Sequence, residues 1–231
     1  MPSTKSKTNI VHLNGVKPAE QARSVELQYC FALAGRTMLE KTRLADIRIP
    51  ELAQNAGSSI GGFYSRFENK EGLFEFMRNS MLEDHGKLID EALNPDCLQE
   101  MTDTEVIENI VDLMIKNFSS PWRGVLRESY SRISEGRGFW APMRFRAKQI
   151  TDAVAVHFAE RFKGRSDGPD EDSIRFAMQM LFSALNNDLM NPKLRFSIGD
   201  DEFRDHLTKM LCRFLIPNTS GNPKKSTKRT R

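Results

Sequence analysis

The chain has 231 residues, 39% of them hydrophobic and 28% charged, with a net charge of +3. These are the proportions of a globular protein with room for one large domain or a small domain joined to a larger one. No apolar run reaches the ~18 residues of a membrane span, and Met1 to Lys17 lack the ~7–15-residue apolar stretch of an export signal, so a cytoplasmic protein without membrane contact is expected.

The three cysteines, Cys30, Cys97 and Cys212, are far apart and form no CxxC. They read as free thiols acting as small buried apolar fillers, with no metal site. Charge is unevenly spread. Residues 1–80 carry 11 Lys/Arg against 8 Asp/Glu, residues 81–216 carry 18 against 23, and residues 217–231 carry 5 basic and no acidic residues. A basic front and tail around an acidic middle suit a polyanion partner at one end of the molecule, although a bias this small also fits plain solvation.

Helical periodicity dominates and strand-like alternation is almost absent, which predicts an all-α fold. In chain order, Ala19 to Glu40 describes one amphipathic helix through Ala22, Val25, Tyr29, Ala32, Leu33, Arg36 and Leu39. Two short helices follow. Asn69 caps a helix from Lys70 to about Leu93, with Leu73, Phe74, Met77, Met81 and Leu88 on its apolar face and Asn94-Pro95 as its stop. Asp103 to Phe118 is apolar nearly all round and should be buried. Ser120-Pro121 reads as N-cap and first residue of a helix running through Ile133. Gly136 and Gly138 break it, and Phe139 to Lys163 forms a long helix that Gly164 ends. Glu171 to about Met190 and Asp201 to Ile216 form the last two, stopped by Pro192 and Pro217.

The expected organisation is an N-terminal arm over 1–18, a smaller helical domain over 19–80, a helical body over 81–216 and a basic tail over 217–231. The boundary near residue 80 falls inside a continuous helix, because no Gly/Ser/Pro-rich linker separates the parts.

The most informative stretch is Ile49 to Phe67, IPELAQNAGSSIGGFYSRF. Pro50 is tolerated in a first turn, where its missing N–H has no partner. Leu52, Ala53 and Ala56 share one face, Gly57 is the helix stop, and Ser59 caps the next helix, which buries Phe63 and Phe67. The outline is a helix-turn-helix, in which the second helix lies in the major groove. Taken alone it fits an αα corner in a bundle equally well. The face left over by the buried set is Ser58, Ser59, Ile60, Gly61 and Tyr64.

The longer stretch ELAQNAGSSIGGFYSRFENKEGLF resembles the signature of the tetracycline-repressor (TetR/AcrR) family of bacterial regulators. The carrying residues are Leu52-Ala53, Ala56-Gly57, Ser59, Gly61, Phe63-Tyr64, Phe67, Lys70 and Leu73, and the resemblance covers about residues 20–80. There are departures. Arg48 stands where the family usually has a capping Thr or Ser, and the preceding loop reads KTRLADIR. Gly62 replaces the usual Thr or Ala, so that two adjacent glycines each weaken the helix by ~1 kcal/mol relative to Ala. Either the helix is soft until DNA orders it, or Gly61-Gly62 admit close backbone approach.

The resemblance implies phosphate contacts from Tyr64 and Lys70. Arg48 is a candidate for a phosphate or the minor groove, and Ile60 for a thymine methyl. It also implies a helical body that dimerises through its last two helices and holds a small effector. Phe118, Trp122, Leu126, Tyr130, Trp140, Met143 and Phe182 are candidate walls of an apolar pocket, although any single one of them is more often a plain core residue. Arg123, Arg127, Arg144, Arg146 and His157 are candidates for an anionic ligand group. No catalytic motif, cofactor motif or metal-ligand spacing occurs, so the expected function is a DNA-binding repressor and not an enzyme. The alternative is a helical protein–protein adaptor without DNA binding. The tail, with five cations after the last helix, either trails beside the duplex or only aids solubility; its deletion is expected to leave operator affinity within about threefold.

Overall fold

The computed structural model describes residues 22–164, 168–191 and 194–216. The N-terminal arm and the basic tail lie outside the described residues. Among those described there are ten α-helices, two 3-10 turns and no strand. The helices are α1 (Ala22–Leu39), α2 (Ile49–Asn55), α3 (Ile60–Tyr64), α4 (Lys70–Ala92), α5 (Pro95–Gln99), α6 (Asp103–Phe118), α7 (Arg123–Ser131), α8 (Arg137–Arg161), α9 (Glu171–Met190) and α10 (Asp201–Leu215). The 3-10 turns are Leu44–Asp46 and Ile133–Glu135. No helix among the described residues is long and apolar enough to cross a membrane.

The chain forms two compact units. The first takes in the described residues of Met1–Leu88 together with Lys116–Arg146, and the second those of Ile89–Ile115 together with Ala147–Arg231. The expected boundary near residue 80 lies inside α4, as does the division at Leu88. Residues 116–146, expected in the body, join the first unit.

In the first unit an aromatic cluster sets the packing. Phe31 of α1 meets Phe63 at 5.5 Å and Phe67 at 6.3 Å between ring centroids, both edge-on, an arrangement that aromatic quadrupoles favour. Leu39, Leu52, Leu73, Phe74, Met77 and Met81 complete this core. The one-face reading of α1 needs correction. Phe31, Ala32, Ala34 and Leu39 are buried, whereas Val25, Tyr29 and Leu33 are exposed. The helix carries two apolar stripes, and tertiary packing selects the one centred on Phe31.

α7 is held against the end of α1. A Cβ on Gly124 would stand 2.5 Å from the Leu39 carbonyl carbon, so only glycine allows the approach. Beside it, the Arg127 guanidinium donates to the Leu39 carbonyl at 2.6 Å. Arg132 pairs with Glu71 at 2.7 Å at the start of α4.

The second unit is built on Ile107, Ile110, Val111, Phe158, Leu181, Leu185, Leu207 and Leu211. Arg161 gathers α5 and α6 by bonding the Asp103 carboxylate and the Leu98 and Met101 carbonyls. Arg204 of α10 makes a bidentate pair with Asp112 of α6.

Three local readings change. Asn94-Pro95 ends α4 but also opens α5, with Asn94 Oδ1 accepting from the Asp96 amide at 3.0 Å. Asn before Pro suits a helix start as well as a stop, and only the first role excludes a loop. Ser120-Pro121 forms a turn, with the Trp122 amide donating to Ser120 Oγ at 3.3 Å, and α7 begins only at Arg123. Of the cysteines, Cys30 and Cys97 are exposed and not buried fillers.

Candidate nucleic-acid interface

α2 and α3 are joined by a turn whose geometry follows from three residues. Gly57 has φ +64°, a conformation that a Cβ opposes. Across it the Ser58 amide donates to the Ala53 carbonyl at 2.8 Å, closing the end of α2. Ser59 then takes extended backbone, and its Oγ accepts from the Gly62 amide at 3.0 Å as the N-cap of α3.

With Phe63 and Phe67 inward, the opposite face of α3 is presented outward. Ile60 is 45% and Tyr64 47% exposed, and Gly61 lies between them. Ser59 is exposed and Ser58 half-buried. The two glycines differ. A Cβ on Gly61 would meet only Ser59 Oγ, at 3.7 Å, whereas one on Gly62 would stand 2.4 Å from Ser58 Oγ. The five residues Ser58, Ser59, Ile60, Gly61 and Tyr64 therefore come together on one short element.

The two cations of the expected site are placed differently. Arg48 precedes α2 in extended conformation, its side chain makes no capping bond, and that side chain is 82% exposed, with Glu51 at 3.7 Å. Lys70 is half-buried, and its ammonium donates to the Ala45 carbonyl at 2.7 Å and the Ile47 carbonyl at 2.9 Å. An ammonium has three donors, and these two bonds take up two of them. Exposed Lys41 and Arg43 lie in the same loop as Arg48 and were not singled out from the sequence. The basic spacing Lys41, Arg43, Arg48 was the available signal.

The candidate pocket residues are dispersed. Phe118, Trp122, Leu126 and Met143 are buried in the first unit and Tyr130 is half-buried there. Phe182, half-buried, belongs to the second unit, and the Trp140 side chain lies outside what is described. A crevice of about 330 Å³ in the first unit is lined by Tyr29, Leu33, Arg36, Asp84 and Trp122. The second unit has a space of about 760 Å³ between Leu93-Pro95 and the Val156-His157 face of α8, and a groove of about 660 Å³ between α9, Phe196 and α10. Of the expected walls, only Trp122 lines one of these three.

Three of the arginines considered for an anion instead hold backbone. Arg123 donates to the Phe118 carbonyl, Arg127 to Leu39, and Arg146 to Leu82. Arg144 is exposed and His157 half-buried. Among the described residues no cluster of His, Cys, Asp and Glu has the arrangement of metal ligands.

No family model and no curated protein matches the chain in sequence. Solved structures do match in fold. A TetR transcription regulator from Haloarcula marismortui superposes with a TM-score of 0.63 at 16% identity, over 83% of this chain and 97% of the other. FadR from Bacillus subtilis, in complex with stearoyl-CoA, gives 0.60 at 14% identity over 81% and 98%. AibR, in complex with isovaleryl coenzyme A and operator DNA, gives 0.55 at 14% identity over 80% and 97%. The fold is that of the TetR/AcrR-family transcriptional regulators.

Proposed function

We propose that this chain is a sequence-specific DNA-binding transcriptional regulator. It acts as a homodimer through α9 and α10 and is released from a near-palindromic operator by a small, mostly apolar effector. The observation that carries this reading is the outward face of α3. Ile60, Gly61 and Tyr64 stand on a helix fixed by the Ser59 cap and backed by Phe63, a shape suited to a major groove. Ser58, Ser59, Ile60, Gly61 and Tyr64 contact the duplex, with Arg48 and Lys70 beside them.

The effector part is supported by two similar folds that hold an acyl coenzyme A and by the mostly apolar spaces of the second unit. The effector works by binding one dimer conformation better than the other, and a swing from mostly bound to mostly released needs ~3–5 kcal/mol of difference. Selection of bound duplexes from genomic fragments tests the whole. A near-palindromic consensus bound with steep salt dependence is expected. If no sequence is enriched and binding is absent at low salt, the chain is an adaptor and not a regulator.

A further inference from the structure

We infer that Lys70 is a positioning residue, contributing to DNA affinity by fixing the loop ahead of α2 and not as a phosphate contact; this rests on the regulator reading above. Three observations converge on it. Lys70 spends two of its three donors on the Ala45 and Ile47 carbonyls, at 2.7 and 2.9 Å. The Ala45 carbonyl lies within the Leu44–Asp46 turn and the Ile47 carbonyl just after it, one residue before Arg48. α2 lacks a side-chain cap, because Arg48 occupies the capping position and makes no such bond.

A short helix without a side-chain cap is steadied by whatever else fixes its start. Here Leu44 and Ile47 anchor the loop in the core, and the ammonium of Lys70 ties its polar side from the first turn of α4. The loop in turn sets where the exposed Arg48 guanidinium points and where α2, and through Gly57 α3, begins. A charge already shared between two carbonyl dipoles and half-buried displaces fewer counterions than the exposed Arg48 does.

The test uses the full chain and a duplex recovered by selection, with affinity measured against salt for Lys70→Met, Lys70→Gln, Arg48→Ala and the Arg48→Ala/Lys70→Met pair. Lys70→Met should weaken binding about tenfold, as expected for losing charge-assisted bonds, while lowering the salt slope by much less than Arg48→Ala does. Lys70→Gln, which keeps an uncharged donor, should recover part of the loss. Arg48→Ala should lower the slope by about one unit per subunit. The double variant should cost less than the product of the single losses, because the second change acts through the first.

Without DNA, hydrogen exchange at the Asp46, Ile47 and Leu52 amides, which donate to Arg43, Leu44 and Arg48, should quicken in Lys70→Met. If both Lys70 variants lower the slope by about one unit per subunit while those amides exchange as in the wild type, Lys70 is a plain phosphate contact and the inference is overturned. A wild type that binds no duplex overturns the regulator reading instead, and the exchange measurement still decides whether Lys70 fixes the loop.

Discussion

His85 lies buried on α4 with its Nε2 3.1 Å from Ser120 Oγ. Burial pushes its imidazole down from the ordinary 6.5 to about 4; the neighbouring Asp84 opposes this and Arg146 adds to it. The folded state therefore prefers neutral His85. Its contribution is fully present above pH 6.5 and is lost as pH falls from there through about 4. The shift is worth up to a few kcal/mol. The urea midpoint should drop between pH 7 and pH 4.5, and His85→Gln should flatten that drop. Equal pH dependence in the two proteins would show that His85 does not carry it. A second residue-scale prediction concerns Gly61. Its Cβ position is open, so Gly61→Ala should stabilise α3 by up to ~1 kcal/mol and raise the melting temperature. On the proposed interface the same methyl stands between Ile60 and Tyr64 and should weaken operator binding. A variant both more stable and equally tight in binding would remove Gly61 from the DNA face.

The elements differ in how far local residues specify them. The α2–α3 turn was legible because its rules are local: Gly57 at positive φ, Ser59 as cap and Phe63 inward are all decided within a dozen residues. Nearly every longer helix was found within two to three residues of its ends for the same reason. What stayed hidden depends on distance in the chain. The stripe of α1 that is buried is chosen by Phe63 and Phe67, and the ammonium of Lys70 meets carbonyls 23 and 25 residues away. Which residues line the spaces within each unit was illegible because aromatic side chains look alike in a core and in a cavity wall. Gly124 is another such case, since only the packing of α7 on α1 explains it. Gly124→Ala places a methyl 2.5 Å from the Leu39 carbonyl carbon and oxygen, backbone that cannot turn aside. It should cost about 2–3 kcal/mol, read as a lower denaturant midpoint at unchanged m-value. Gly86→Ala is the contrast. It meets the end of the Arg146 side chain at 2.8 Å, a flexible group, and should cost less. Equal losses at the two glycines would mean that the α1–α7 junction yields.

At the scale of the whole molecule, the last two helices carry more apolar surface than one chain covers. α9 turns Ile174, Ala177, Met178, Leu181 and Leu185 inward, and α10 turns in Phe203, Leu207, Leu211 and Leu215. Outside that set, Phe176 and Phe214 are each 50% exposed and their rings lie 5.8 Å apart, with Met210 exposed one turn away on α10. On the proposed homodimer, a second copy supplies the same stripe across a two-fold axis. A stable pair buries about 800 Å² per subunit around such aromatic anchors. Charging the anchors should therefore separate the subunits without disturbing either core. Phe176→Glu/Phe214→Glu should run as a folded monomer by light scattering at micromolar concentration, where the wild type is expected to run as a dimer. Two linked heads gain about 10²–10⁴ in affinity from binding one site together, so the monomer should lose that factor on a two-half-site operator. On a single half-site it should bind as one wild-type head does. A variant that remains dimeric with full operator affinity would place the interface elsewhere on the molecule.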